Sequence, residues 1–296
     1  MNISFPWRRA LTLLGASVLT GSVMAQTSDY PNQPIKLVVP FPAGGSTDLV
    51  ARALATEWSS ALHQSVVVDN KAGAGSLIGT ELVYKSPADG YTVLIQTVTT
   101  QAINHSLYSK LSYDTRKDFT PIMVLGRITP VLNVPASLPV HSFADLIALA
   151  KAKPGQLNYA SFGNGTNAHL SFEELKQRTG INIMHVPYKG STPAVTALLR
   201  GEVAALIVNF SNVAEHVKAG SIRVISAASE ERLAAMPDLP TIAESGVPGF
   251  SSGAWWGLFG PAELPRDLTN KIRRDVAAAL AGAEAKRLYA ANTIET

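Results

Sequence analysis

Short apolar runs that alternate with amphipathic segments limit what this chain can fold into. In the first third of the sequence, apolar runs at 35–39, 65–69 and 92–96 alternate with segments at 48–62 and 79–85. Within the longer segment the apolar residues recur every three or four positions, which is helical spacing. Continuous apolar strands between helices are typical of a parallel sheet with both faces covered, so the pattern predicts an α/β fold.

The same pattern restarts in the second half of the chain. Predicted helices alternate there with predicted strands, the helices at 143–153, 168–179, 193–200 and 213–218 and the strands at 157–161, 184–187, 204–208 and 223–227. Two stretches, 122–134 and 251–265, connect the halves. A chain that crosses twice between two α/β halves has both ends in the first half. It also leaves a cleft at the crossing, where small ligands usually bind.

The first 25 residues have the layout of a secretory signal peptide. Arg8 and Arg9 precede an apolar stretch at 10–19, and the small residues Val23 and Ala25 occupy the −3 and −1 positions of a cleavage site. The apolar stretch is shorter than the roughly 20 residues that span a bilayer. A membrane anchor or an amphipathic N-terminal helix is the alternative interpretation. The layout predicts export to the periplasm and a mature chain that begins at Gln26.

Composition excludes several classes of protein. Hydrophobic residues make up 46% of the 296 residues and charged residues 16%, which is a globular mixture. Cysteine is absent, so disulfides, cysteine-ligated metals and thiol nucleophiles are excluded. The formal net charge is +3, and two of the positive charges lie in the leader. A nearly neutral exported chain is not expected to bind nucleic acid.

Two glycine-rich loops lie where a predicted strand ends and a helix begins. One is Pro-Phe-Pro-Ala-Gly-Gly-Ser-Thr-Asp at 40–48, and the other is Ser-Phe-Gly-Asn-Gly-Thr-Asn-Ala-His at 161–169. Free N–H groups at a helix start attract anions, and ligands of open α/β sheets bind at the carboxyl ends of strands. One such loop in each half predicts a clamp for a carboxylate. The alternatives are ordinary capped turns and, for His169, a helix-surface residue.

Other chemistry is sparse in the sequence. The loop at 70–79 carries Gly73, Gly75 and Gly79 in a loose dinucleotide pattern, but no acidic residue follows at the spacing that ribose binding requires. The six histidines are scattered without ligand spacing, and no G-x-S-x-G or H-E-x-x-H motif occurs. We therefore expect no cofactor, no metal site, no catalytic residue and no enzymatic activity.

Ordered motifs along most of the chain resemble one family, the Bug receptors, which are extracytoplasmic solute receptors of tripartite tricarboxylate transporters. The resemblance covers nearly the whole chain after the leader. The matching pieces lie at 30–31, 34–45, 47–48, 70–75, 87–92, 102–108, 154–159, 163–165, 186–190, 201–203 and 239–244.

The resemblance implies a two-lobed periplasmic-binding-protein fold of type II, with a central parallel sheet in each lobe and a Venus-flytrap closure. Lobe 1 would comprise 26–124 and 253–296, and lobe 2 would comprise 125–252. A monomeric receptor would capture a small carboxylate solute and deliver it to the permease subunits of the transporter. Ligand-binding residues carried over from the family are Phe41, Ala43, Gly44, Gly45, Ser46, Thr47, Asp48, Thr97, Gln101, Asn104, Ser161, Gly163, Gly165, Thr166, Asn167 and His169.

Two departures from the family pattern bear on function. Ala204 and Val208 stand where family members often have acids, which implies a ligand without an ammonium group. The family usually continues with a further strand and helix after the region of Tyr289, whereas this sequence stops at Thr296. Two alternatives to a transport receptor stay open: an exported α/β enzyme that acts on a small carboxylate, and a ligand-sensing co-receptor for a sensor kinase.

Overall fold

The computed structural model describes residues 30–296, and within them the chain forms two five-stranded sheets. The predicted signal peptide at 1–25 lies outside the described residues. None of the helices in the described part of the chain combines the length and apolar character needed to cross a bilayer.

The first sheet has the strand order β2-β1-β3-β10-β4. Strands β1 to β3 are parallel, and β10 is antiparallel to both of its neighbours. Its strands are β1 (Ile35–Val39), β2 (Val66–Asn70), β3 (Thr92–Thr97), β4 (Phe119–Ile128) and β10 (Ala254–Pro261). The helices in the same chain segments are α1 (Ser46–Leu62), α2 (Leu77–Tyr84), α3 (Asn104–Leu107), α8 (Arg266–Leu280) and α9 (Ala283–Ala291).

The second sheet repeats this arrangement in the order β7-β6-β8-β5-β9. Strands β6, β7 and β8 are parallel, and β5 is antiparallel to β8 and β9. Its strands are β5 (Val131–Pro135), β6 (Asn158–Ser161), β7 (Met184–Pro187), β8 (Ala205–Val208) and β9 (Ile222–Ala227). The intervening helices are α4 (Phe143–Ala152), α5 (Asn167–Thr179), α6 (Ser191–Leu199) and α7 (Ala214–Lys218). The two-lobed fold is confirmed, with mixed sheets whose first three strands are parallel.

The stretches expected to be connections are themselves strands. The first, 122–134, contains most of β4 and β5, and the chain passes from one sheet to the other at residues 129–130. The second, 251–265, contains β10, which lies between β3 and β4. Proline hid the strand character of β4 in the sequence, because proline argues against a central strand. Pro121 is tolerated in β4 because β4 is an edge strand, where a missing N–H is not needed for pairing.

Each sheet has a buried apolar core of its own. Val38, Leu94 and Phe259 belong to the core of the first sheet, and Tyr159 and Phe172 stack at 4.2 Å between ring centroids in the second. Burial of a large apolar side chain stabilises a fold by roughly 1.5–3 kcal/mol. Each half is therefore stabilised by its own core. The loops at the carboxyl ends of the parallel strands face the region where the chain passes between the two sheets.

Candidate functional site

A small cavity that opens to solvent lies between the two sheets. Both halves contribute to its lining, which consists of Phe41, Gly45, Ser46, Thr47, Thr97, Val98, Thr99, Pro130, Phe162, Asn167, Ala168, Ser191, Ile207, Val208, Asn209, Asn212, Ala254, Trp255 and Trp256. None of these described residues carries a charged side chain. A charged ligand would therefore be held by dipoles and hydrogen bonds and not by an ion pair.

Three helices of the described region begin at this cavity. They are α1, α5 and α6, whose N-cap residues are Gly45, Thr166 and Gly190, and in none of the three does the N-cap side chain accept a hydrogen bond from the helix. The first N–H of α5 meets only the long contact from Asn167 to Thr99 Oγ1 at 3.4 Å.

Helices α2, α8 and α9, which do not line the cavity, also lack a side-chain cap, and α4 has a capping box of Ser142 and Asp145. The cavity is therefore distinguished by the convergence of three helix starts and not by the absence of caps. The first N–H groups of a helix have no partner within the helix, and its dipole makes that end positive. Three helix starts around one cavity form a site suited to an anion.

The loops of the two halves touch around the cavity. Asn209 Nδ2 donates to Ser46 Oγ at 2.8 Å, and the backbone N–H of Asn167 donates to Thr99 Oγ1 at 3.4 Å. A Cβ on Gly45 would lie 2.8 Å from Ser191 Oγ. The halves thus approach so closely at Gly45 that a side chain there requires the Ser191 hydroxyl to move.

Six of the residues singled out from the sequence line the cavity: Phe41, Gly45, Ser46, Thr47, Thr97 and Asn167. The other ten lie outside its lining: Ala43, Gly44, Asp48, Gln101, Asn104, Ser161, Gly163, Gly165, Thr166 and His169. A direct contact between these ten and a ligand stays a prediction. The side chains among them have clear roles in holding the loops.

Asp48 fixes the shape of the first loop. Its carboxylate accepts hydrogen bonds from the Gly44 N–H at 2.9 Å, from Arg52 Nε at 2.8 Å and from Asn70 Nδ2 at 3.0 Å. Burial would raise the pKa of Asp48, but hydrogen bonds from Arg52, Gly44 and Asn70 outweigh it and hold the pKa below its ordinary value. The charge of Asp48 is therefore already compensated by the protein.

Gln101 and Asn104 direct their amide groups to the backbone of neighbouring loops. Gln101 Nε2 donates to the carbonyl oxygen of Thr115 at 2.7 Å. Asn104 Nδ2 donates to the carbonyl oxygen of Gly75 at 3.2 Å, and the Asn104 side chain is buried. Both residues brace the loops that surround β3.

The second loop is held by its own side chains. Thr166 Oγ1 donates to the Gly163 carbonyl oxygen at 2.8 Å, and Ser161 Oγ accepts from the Gly163 N–H at 3.1 Å. A Cβ on Gly165 would overlap Leu107 of the other half. Gly163 and Thr166 line a second cavity beside the first, together with residues of the 70–79 loop.

Two stacked histidines lie behind this loop. The rings of His169 and His185 are 4.0 Å apart and nearly parallel. His169 Nδ1 accepts from the Gly165 N–H at 3.0 Å, and His185 Nε2 lies 2.6 Å from Ser161 Oγ. His169 therefore supports the loop by accepting a hydrogen bond, which requires an unprotonated Nδ1.

The histidine pair predicts a loss of stability in mild acid. Burial and the neighbouring His169 lower the pKa of His185 to about 4 from an ordinary 6.5, and burial lowers the pKa of His169. A histidine whose pKa is lowered by folding binds protons more readily in the unfolded chain. We expect the free energy of unfolding to have its full value above pH 6.5, where both histidines are neutral in either state, and to fall as the pH drops toward 4.

Urea unfolding at several pH values between 7.5 and 4 measures this effect. His185→Gln keeps a polar group near Ser161 and removes the titrating ring, so its stability should fall less steeply over this range. His141→Gln changes an exposed histidine and should keep the wild-type slope. Identical slopes for wild type and His185→Gln would show that the stacked pair does not control this pH dependence.

The structure adds residues that the sequence patterns did not single out as ligand contacts. Trp256 is buried in the cavity wall, and its Nε1 donates to Thr47 Oγ1 at 3.0 Å. Asn209, Asn212 and Ser191 line the cavity from the second half. Asn209 follows β8 directly, and the carboxyl end of a parallel strand is a position that ligand sites favour, so a signal for it was present.

Comparison with known proteins identifies the family. Residues 50–296 match the model of the tripartite tricarboxylate transporter family receptor. The chain belongs to this family. It is also 38% identical over 286 residues to the protein BugT of Bordetella pertussis, an alignment that covers 96% of this chain and 88% of BugT. The resemblance to the Bug receptors is thus confirmed, and the family is one of solute-binding receptors and not of enzymes.

Solved structures agree with this assignment. Rpa4515 of R. palustris, determined with adipate, superposes with a TM-score of 0.87 at 38% identity and covers 90% of this chain and 89% of its own. MatC of Rhodopseudomonas palustris, determined with bound malate, superposes with a TM-score of 0.85 at 29% identity over 90% of each chain. The fold, including the two sheets and the cleft between them, is that of these binding proteins.

Proposed function

We propose that the protein is a periplasmic receptor that captures a small carboxylate-bearing solute in the cavity between its two halves. The proposal rests on one observation. The N-terminal ends of α1, α5 and α6 surround a cavity whose lining carries no charged side chain. Relatives determined with adipate and with malate support the choice of a carboxylate.

Binding in this arrangement depends on closure. The starts of α1 on one side and of α5 and α6 on the other belong to different halves, so a carboxylate meets all three only when the halves approach. The chain crosses between the sheets at residues 129–130 and again before β10, and rotation at these crossings opens and closes the cleft. Closure also removes the carboxylate from water, which strengthens each hydrogen bond that it accepts.

We propose that the receptor delivers the captured solute to the permease subunits of a tripartite tricarboxylate transporter. The family description supports this assignment, and the leader at 1–25 supports export to the periplasm. We propose that the receptor acts as a monomer. Its lobe boundaries would be those expected from the sequence, 124/125 and 252/253, or the first of them would lie at the sheet crossing at 129–130. Uptake of labelled ligand by cells that lack the receptor gene, with and without the permease genes, tests the assignment.

A ligand screen tests the receptor function itself. Mono-, di- and tricarboxylates, aromatic acids and acidic amino acids are added to the purified protein, and the midpoint of thermal unfolding is followed. A ligand that binds only the folded state raises this midpoint by mass action. A shift with at least one carboxylate, confirmed by calorimetry at one ligand per chain, is expected. Absence of a shift with every class would contradict the proposal.

Matched pairs of acids test the expected absence of an ammonium group. Val208 lines the cavity and Ala204 does not, and the described lining offers no carboxylate to an ammonium. The three helix starts repel positive charge. Two pairs are compared by calorimetry: succinate with aspartate, and 3-phenylpropionate with phenylalanine. In the pair that binds, the acid without the ammonium group should bind about tenfold or more tightly than the amino acid. Tighter binding of the amino acid in either pair would refute this expectation.

A further inference from the structure

One apolar contact between the two halves lies outside both cavities. Leu107 is the last residue of α3 in the first half, and Gly165 directly precedes the N-cap of α5 in the second. A Cβ on Gly165 would overlap Leu107 Cδ2, so a methyl group of the leucine lies against the Gly165 backbone. Neither residue is part of the lining of the cavity between the sheets or of the second cavity beside it. The contact therefore joins the halves at a place that a ligand in either cavity does not occupy.

Both sides of this contact are held in place within their own half. Asn104, at the start of α3, is buried and donates from Nδ2 to the Gly75 carbonyl oxygen at 3.2 Å. The Gly165 N–H donates to His169 Nδ1 at 3.0 Å, and Gly165 has φ +75°, a left-handed conformation that favours glycine. The leucine thus meets a fixed turn from which α5 begins, and α5 is one of the three helices that start at the cavity.

The hydrogen bonds between the halves differ from this contact in what is lost when the halves separate. Asn209 donates to Ser46 Oγ, and the Asn167 N–H donates to Thr99 Oγ1. Water replaces these partners in an open cleft, so each bond contributes little net free energy to closure. Leu107 is 44% exposed, and separation would return to water the apolar surface that lies against Gly165. That loss of apolar burial opposes opening.

A second apolar contact between the halves has the same character. A Cβ on Gly190 would lie 2.7 Å from Pro42 Cγ, so the proline ring lies close to the Gly190 backbone. Both residues line the second cavity, so a substitution there also changes the shape of that cavity. Leu107 and Gly165 can be changed without altering the lining of either cavity.

We propose that Leu107 is a latch that holds the two halves together by packing on Gly165, and that it sets how tightly the receptor retains a ligand that it does not touch. The inference rests on the proposed function and adds its regulation. The affinity of a receptor is reduced in proportion to the fraction of molecules in the closed, binding-competent state. Loss of the latch therefore lowers the affinity for every ligand by the same factor.

A pair of cysteines tests the contact without any ligand. The chain has no cysteine, so Leu107→Cys with Gly165→Cys introduces the only two thiols. Leu107 Cγ marks the place of the new sulfur and lies 3.2 Å from the Cβ position of residue 165, and a disulfide holds each sulfur about 3 Å from the opposite Cβ. Oxidation of the ligand-free protein with diamide should remove both free thiols and leave the chain monomeric.

A second pair provides the control for the disulfide. Met184 is exposed at the amino end of β7, whereas the carboxyl ends of the parallel strands face the other half. Leu107→Cys with Met184→Cys should therefore keep its free thiols under the same conditions. Retention of both thiols by the pair at 107 and 165 would overturn the latch.

The effect of the latch on binding is measured with succinate, adipate and 3-phenylpropionate. By calorimetry, Leu107→Ala should weaken the binding of each acid that the wild type binds by about fivefold, with factors that agree within about twofold. The fluorescence of Trp255 and Trp256 in the cavity wall follows the kinetics. Dissociation should accelerate by about the same factor, and association should change less than about twofold. Met184→Ala should keep wild-type affinity. Wild-type affinity in Leu107→Ala, or a loss confined to one acid, would overturn the latch.

Gly165→Ala connects the effect to its partner. The added Cβ displaces Leu107, so this substitution should cost more affinity in the wild type than in the Leu107→Ala background. The strain of alanine at φ +75° is present in both backgrounds and cancels in the comparison. Equal losses in the two backgrounds would contradict the proposed contact.

Failure of the latch is distinguishable from failure of the receptor function. If carboxylates bind to the wild type but the disulfide does not form, the receptor function stands and the latch is wrong. If the disulfide forms but no carboxylate of the screen binds, the contact stands and the receptor function is wrong.

Discussion

Replacement of Gly45 by valine is expected to abolish ligand binding while the protein stays folded. Gly45 has φ −86° and ψ 171°, an extended conformation that valine adopts without strain. A Cβ there would lie 2.8 Å from Ser191 Oγ, and the valine methyl groups extend further into the other half. The variant should therefore hold the cleft open and cover the start of α1. We expect a loss of affinity of about a hundredfold or more, measured by calorimetry.

A pair of milder variants provides the control. Gly45→Ala adds only the Cβ and should weaken binding less, and Ser191→Gly in that background removes the opposing oxygen and should restore part of the affinity. Urea unfolding should show that Gly45→Val retains nearly all of the wild-type stability. Wild-type affinity in Gly45→Val would mean that the ligand does not bind between the 40–48 loop and the start of α6.

Trp256→Ala is expected to have the largest effect on stability. The side chain is 2% exposed and belongs to β10, an interior strand of the first sheet that lies between β3 and β4. Truncation of a buried tryptophan costs about 3–5 kcal/mol of unfolding free energy because it leaves a void. The variant also loses a wall of the cavity, so ligand affinity should fall in parallel.

Two further variants separate the contributions at this position. Thr47→Val removes the acceptor of Trp256 Nε1 and leaves a buried donor unpaired, which should cost about 1–3 kcal/mol. Trp255→Ala changes a half-buried neighbour that also lines the cavity, so its stability loss should be smaller than that of Trp256→Ala. Urea unfolding measures all three. A loss below about 1 kcal/mol in Trp256→Ala would contradict the packing described for β10.

The elements with a strong local signal could be predicted from the sequence. The apolar run at 35–39 is β1 residue for residue, and the helix expected at 168–179 is α5 with one more residue. The two glycine-rich loops could also be placed, because each follows such a strand and precedes such a helix. These predictions depend on neighbours in the sequence, which is why they succeed.

The strands at the crossing could not be predicted in this way. Strand β10 is stabilised by pairing with β3 and β4, whose residues lie more than a hundred positions earlier. Its aromatic and glycine residues therefore resembled a connection when taken alone. The same applies to β4, where Pro121 argues against a central strand but not against an edge strand.

Side-chain directions within the loops also depend on distant partners. Trp256 reaches Thr47 across 209 positions, and Asn209 reaches Ser46 across 163. The family resemblance named Gln101 and His169 as ligand contacts. Gln101 instead donates to the backbone of Thr115, and His169 accepts from the backbone of its own loop. The glycine-rich loops and the family resemblance together thus identified the region of the site and six of its lining residues, but not Ser191, Asn209 and Asn212, which complete the lining from the second half.

Calorimetric titration of the purified protein with the carboxylates of the ligand screen, repeated for Gly45→Val, tests the central claim most directly. We expect saturable binding of one carboxylate per chain in the wild type and no measurable binding in the folded variant. Equal binding in both proteins, or no binding of any carboxylate to the wild type, would contradict the claim that the cavity between the two halves captures a carboxylate.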